Sequence, residues 1–137
     1  MYSNPYSQYK QTAVETASPE RLVVMLYDGA IKFLRQAKEA NDQNKIEDTN
    51  HYICKVQDII NEFIITLDMN AGEIAQNLHS IYDYWNRQLI QANIKKDSEM
   101  ILEVLEQVEE LREAWVEATT KYRDEQPRMV GGVNIEG

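Results

Sequence analysis

The stretch "IEDTNHYICKVQDIINEFIITL" (46–67) decides the fold class. Ile46, Thr49, Ile53, Val56, Ile60, Phe63 and Leu67 recur at alternating steps of three and four, the 3.5-residue period by which one helix packs along another. A helix so patterned has to bury its stripe against partners. The flanking sequence supplies them.

Upstream, "SPERLVVMLYDGAIKFL" (18–34) opens a first helix. Ser18 stands as N-cap, Pro19 at the first helical position and Glu20 in the first turn, where the free amides and the helix dipole favour them. This helix is predicted to run to about Ala40, before the polar break "NDQN" (41–44). Asn44 and Glu47 have the spacing of a capping box for the second helix, predicted at about 45–67.

Downstream, "DMNAG" (68–72) interrupts the pattern, with Asn70 and Glu73 placed as another cap and box. Ile74, Leu78, Ile81, Trp85, Leu89 and Ala92 then form the stripe of a third helix, closed by "NIKKD" (93–97). Asp97 is expected to cap a fourth helix, whose stripe is Ile101, Val104, Val108, Leu111, Trp115, Ala118 and Tyr122. A parallel row of Glu99, Glu103, Glu106, Glu110, Glu113 and Glu117 lies on another face, either solvated or steering a basic partner.

Strand signals are absent. The prediction is an all-α, antiparallel up-down four-helix bundle over residues 18–125. Residues 1–17 carry Tyr2, Tyr6, Tyr9 and Ala13 on one helical stripe and are expected to form a helical or extended cap segment. Residues 126–137, with paired glycines and no period, are expected to be a flexible tail.

Composition narrows the function. A net charge of -9 over 137 residues repels phosphate backbones, so neither nucleic acid nor an anionic membrane surface is an expected partner. The longest apolar run, Leu22 to Tyr27, is far short of the ~20 residues of a membrane span, and "MYSNPYSQYK" lacks a signal-peptide core. A cytoplasmic location is expected. The one thiol, Cys54, excludes an intramolecular disulfide and is read as a small core side chain.

Catalytic chemistry finds no support in the sequence. A di-iron bundle needs Glu-x-x-His on two helices, whereas Glu47 and His51 are four apart and His79 has no acid three before it. Cys54 has no evident base, and no Gly-x-Ser-x-Gly or phosphate-binding glycine loop exists. No enzyme activity, cofactor or metal is expected.

One surplus stands out. On the first helix Leu22, Met25, Leu26, Ala30, Phe33 and Ala37 suffice for a seam, leaving Val23, Tyr27, Ile31 and Leu34 to cover another direction. They either widen the core or form a groove for an amphipathic helix of a partner, plugged in the free state by the tyrosine-bearing segment.

"YKQTAVETASPERLVVMLYDGAIKFLRQA" (9–37), "GEIAQNLHSIYDYWNRQLIQANIKKD" (72–97) and "LREAWVEA" (111–118), in that order and spacing, resemble the FliS family, the cytosolic export chaperones of flagellin. The resemblance implies an antiparallel bundle without turnover chemistry. It would bind the carboxyl-terminal helical segment of flagellin, prevent premature polymerisation and assist delivery to the flagellar type III export apparatus. Export-gate components or other flagellar regulators are further partners it allows.

By position, the resemblance places a binding and capping aromatic at Tyr9, with Tyr6 three residues before it, and signatures at Tyr27, Asp28, Gly29 and Ala30 and at Asn77, Tyr82, Arg87 and Asn93. Arg87 could instead pair with Asp83 one turn earlier. The candidate partner-binding residues are therefore Tyr6, Tyr9, Val14, Val23, Tyr27, Asp28, Ile31, Asn77, Tyr82, Arg87 and Asn93.

Overall fold

The computed structural model describes residues 18–125, with side chains as far as 121. The expected cap segment, 1–17, and the expected tail, 126–137, lie outside the described residues. Four helices follow in order: α1 (Pro19–Asp42), α2 (Ile46–Thr66), α3 (Glu73–Lys95) and α4 (Ser98–Glu125), with a 3-10 turn at Met69–Ala71. Contacts gather residues 25–110 into one compact unit, and the described residues 18–24 and 111–125 belong to another. In the described part of the latter, the Trp115 indole N–H lies 3.5 Å from the Glu20 carbonyl.

Within residues 25–110 the cross-helix bonds fix direction. Asn50 pairs with Asn93 and Asn61 with Asn86, so α2 and α3 run antiparallel. Tyr84 bonds Glu103 and Trp85 bonds Gln107 between α3 and α4, and the two-residue break between Lys95 and Ser98 turns the chain back so that these helices run antiparallel. Asn41 donates to the Lys96 carbonyl, which brings the carboxyl ends of α1 and α3 together. The up-down arrangement predicted from the periods is the observed one.

Two of the expected starts are built as read. Ser18 Oγ accepts from the Arg21 amide at 3.2 Å, and Asp97 Oδ1 accepts from the amides of Glu99 and Met100. Two are not. Asn44 does not cap α2; it adopts φ 61° and ends α1, with the Lys45 amide on the Ala40 carbonyl and the Asn44 amide on the Asn41 carbonyl. This is a left-handed helix stop, which asparagine tolerates better than most residues, and the stop won because it satisfies two free carbonyls at once. Asn70 likewise donates its amide to Asp68 Oδ1 inside the 3-10 turn, and Gly72, at φ 98°, takes the cap position of α3. Only glycine is unstrained there.

The buried rows are Leu26, Tyr27, Ala30, Ile31, Leu34, Ala37 and Ala40 on α1, Thr49, Ile53, Val56, Ile59, Ile60 and Phe63 on α2, Ala75, Tyr82, Trp85, Leu89 and Ala92 on α3, and Ile101, Val104, Leu105 and Val108 on α4. Most of the apolar surplus of the first helix is thus core: Tyr27, Ile31 and Leu34 are buried, and Val23 is half-buried. Cys54, read as core, is exposed, because it follows Ile53 and so turns about 100° away from the buried row. Ile46, Ile74 and Ile81, read as seam residues, are exposed as well; on α3 the inward stripe lies one residue later, at Ala75 and Tyr82. The six glutamates of the acidic row are all exposed.

Gly29 marks a close approach of α1 to α2. A Cβ added there would lie 3.3 Å from Ile59 Cδ1, and Ile59 is fully buried. Gly29→Ala should therefore realise less than half of the ~1 kcal/mol that alanine gains over glycine within a helix. In an Ile59→Val background, which lacks that methyl, the full gain of about 1 kcal/mol is expected. Equal gains in both backgrounds by chemical denaturation would contradict the contact.

Candidate functional site

A groove of about 470 Å³ runs between α2 and α3 at the end nearest Lys96. Ile46, Ile90, Ile94, Asn50, Gln57 and Asn93 line it, with Glu47 and Lys96 at its lips. Ile46 and Ile94 are 64% and 71% exposed, far more than a closed core would leave, and Ile90 is 46% exposed. The helices expose them for a geometric reason. Ile90 and Ile94 are four apart on one edge of α3, while the inward row runs through Leu89 and Ala92.

Amide side chains floor this flank. Asn93 Nδ2 donates to Asn50 Oδ1 at 2.7 Å, and Asn86 Nδ2 donates to Asn61 Oδ1 at 3.1 Å. Asn86 Oδ1 is shut away from solvent without a partner. Lys96 curls back to its own helix end, its ammonium on the Asn93 carbonyl and side-chain oxygen at 2.8 and 2.6 Å. The groove therefore offers apolar area and neutral amides, and among the described residues no group of three or more metal-ligating side chains accompanies it. Such a lining suits a peptide chain and supplies no nucleophile.

The predicted binding residues divide into three sets. Tyr6, Tyr9 and Val14 fall outside the described residues. Tyr27, Ile31 and Tyr82 are buried in the bundle, only 1%, 8% and 4% exposed, so the surface of this structure does not offer them to a partner. Val23 and Asn93 are half-buried, and Asp28, Asn77 and Arg87 are exposed. Arg87 Nε bonds Asp83 Oδ2 at 3.0 Å, the i,i+4 pair, worth only ~0.3–0.5 kcal/mol. Of the eight that are described, Asn93 alone lines the groove. Ile46, Ile90 and Ile94 were legible as apolar residues of α2 and α3, but only the observed rotation of each helix shows that they face outward.

Tyr27 and Tyr82 are instead joined to each other, hydroxyl to hydroxyl at 2.9 Å. Burial, then the neighbouring Tyr82, pushes the Tyr27 hydroxyl far above its usual value of 10.0; burial raises Tyr82 too, although the bond from Tyr27 opposes it. Phe63 stacks between them, 4.5 Å from Tyr27 and 5.1 Å from Tyr82, and Tyr82 continues to Trp85 at 5.6 Å. The Trp85 indole N–H ends the line on Gln107 Oε1 at 2.9 Å.

The description "Flagellar protein FliS" belongs to a family model that matches residues 2–122. The chain belongs to the FliS family. It is 42% identical over 120 residues to the flagellar secretion chaperone FliS of Bacillus subtilis, covering 88% of this chain and 90% of that one. A FliS relative from Vibrio cholerae is 36% identical over 128 residues, 90% of this chain and 94% of its own. A solved structure described as a flagellar chaperone from bacteria superposes with a TM-score of 0.71 at 18% identity, covering 85% of this chain and 95% of that one, and shares the fold. Both relatives are described as flagellar secretion chaperones, and membership of their family gives this chain a chaperone role. No helix among the described residues is long and apolar enough to cross a membrane.

The tyrosine pair gives this chain a pH signature. Both hydroxyls stay neutral in the folded chain, while an unfolded tyrosine ionises near 10.0. Their contribution is whole below that pH and is lost as pH rises through 10 toward the raised folded values. Urea midpoints should therefore fall between about pH 9 and 11, and the fall should be smaller in Tyr27→Phe/Tyr82→Phe. An equal fall in both proteins would contradict the assignment.

Proposed function

We propose that this FliS protein is a cytosolic chaperone that binds the carboxyl-terminal helical segment of flagellin. It thereby prevents premature polymerisation and assists delivery to the flagellar type III export apparatus. The observation that carries the reading is the exposed Ile46, Ile90 and Ile94 lining a groove on a chain of this family. An apolar client stripe covers that area, and the amides beside it accept or donate to whatever polar groups the client brings.

Binding is coupled to folding of the client. Ordering a disordered end costs ~2–5 kcal/mol or more, so useful affinity needs contact beyond one groove, above the ~1,600 Å² of a standard interface. The client accordingly wraps, with Val23, Asp28, Asn77, Arg87 and Asn93 among its contacts and Tyr6, Tyr9 and Val14 of the amino-terminal segment contributing to its binding.

Calorimetric titration with the carboxyl-terminal segment of flagellin should give saturable one-to-one binding with a negative heat-capacity change. Ile94→Lys and Ile46→Lys should each weaken it about tenfold or more, equal to 1.4 kcal/mol, and Tyr9→Ala should weaken it too. Because both isoleucines are exposed, melting temperatures should move by no more than ~2 °C. Absence of binding by the parent protein would overturn the flagellin assignment, and undiminished binding by both lysine variants would move the site elsewhere.

A further inference from the structure

The hydroxyl pair between α1 and α3 fixes more than one contact. Tyr27 and Tyr82 are 55 residues apart in sequence, and so are Asn41 and Lys96, whose side-chain amide and carbonyl bond at 2.9 Å. Helices α1 and α3 are thus held at one offset at two points, 14 residues or about four turns apart. Asn41 is only half-buried, at the helix ends, and its polar groups can turn to water. The tyrosine hydroxyls cannot.

Around them the seams are apolar. A slide of α3 past α1 by one turn, about 5.4 Å, is a known class of helix ratchet. In one direction it would set the Tyr27 hydroxyl against Leu78 and the Tyr82 hydroxyl against Ile31, and in the other against Trp85, whose indole N–H is already bound to Gln107, and Val23. A slide of one heptad in the first of these directions would set them against Ala75 and Leu34, both buried. Apolar packing alone discriminates weakly among these offsets, because each replaces one apolar neighbour by another. Two stranded hydroxyls in the core discriminate strongly.

We infer that the Tyr27–Tyr82 pair is a register latch, a buried polar contact that selects one offset of α1 against α3 and excludes its one-turn neighbours. Its role is specificity: each hydroxyl is tolerated only opposite the other, as a single buried polar residue fixes register in a coiled coil. The inference does not depend on the identity of the client.

The test is a double-mutant cycle on the full chain with Tyr27→Phe, Tyr82→Phe and the pair together. Each single variant strands one hydroxyl and should lower the melting temperature by roughly 3–8 °C. The double variant strands none and should melt within ~2 °C of the parent or above it. Its amide NMR spectrum should show added or exchange-broadened cross-peaks along α1 and α3, as two offsets interconvert. Midpoint losses that simply add in the double variant would overturn the latch. So would a double variant with one sharp set of cross-peaks matching the parent's.

Discussion

The line of rings from Tyr27 through Phe63 and Tyr82 to Trp85, ending on Gln107, is the contact on which the rest of the bundle depends. It takes one or two residues from each of the four helices and crosses the core at a single level. Large rings supply much buried area with few rotors to fix, and their polar ends are satisfied against one another. A core of aliphatic side chains alone would hold the helices together without stating how far each is turned. The rings set that rotation. Once Tyr82 and Trp85 face inward, Leu89 and Ala92 follow on the same side, and Ile90 and Ile94 are left on the edge beside α2.

That is how a core contact yields an exposed apolar flank. The exposed isoleucines are the remainder after the inward rows have been filled, placed where Asn50 and Asn93 hold the two helices at a fixed separation. Polar amides in the cleft keep α2 and α3 from closing over an apolar seam. A chaperone for a disordered client needs such a surface: apolar enough to hold, too interrupted by amides to collapse or self-associate readily.

Much of the fold was legible because the seams repeat at three and four residues over long stretches, and the breaks at 41–44, 68–72 and 93–97 are polar. The caps at Ser18 and Asp97 were legible because their side chains bond the next amides. Asn44 and Asn70 were misread because a stop for one helix and a start for the next use the same residue types, and only backbone geometry separates them. The site was harder. Tyr27 and Tyr82 looked available because tyrosine suits interfaces as well as cores, and nothing in one helix reveals a hydroxyl partner 55 residues away. Cys54 and Ile81 show the same limit from the other side: one residue of phase moves a side chain by about 100°, from core to water.

In the proposed complex the client lies on the flank of α2 and α3 rather than inside the bundle. Hydrogen-exchange mass spectrometry on the free chain, and on the chain saturated with the flagellin carboxyl-terminal segment, tests it most directly. Slower exchange is expected in peptides covering 46–57 and 90–96, with the core peptides of Phe63 and Trp85 unchanged. Protection confined to other surfaces, or faster exchange around Tyr27 and Tyr82, would contradict it and mean that the bundle opens to receive its client.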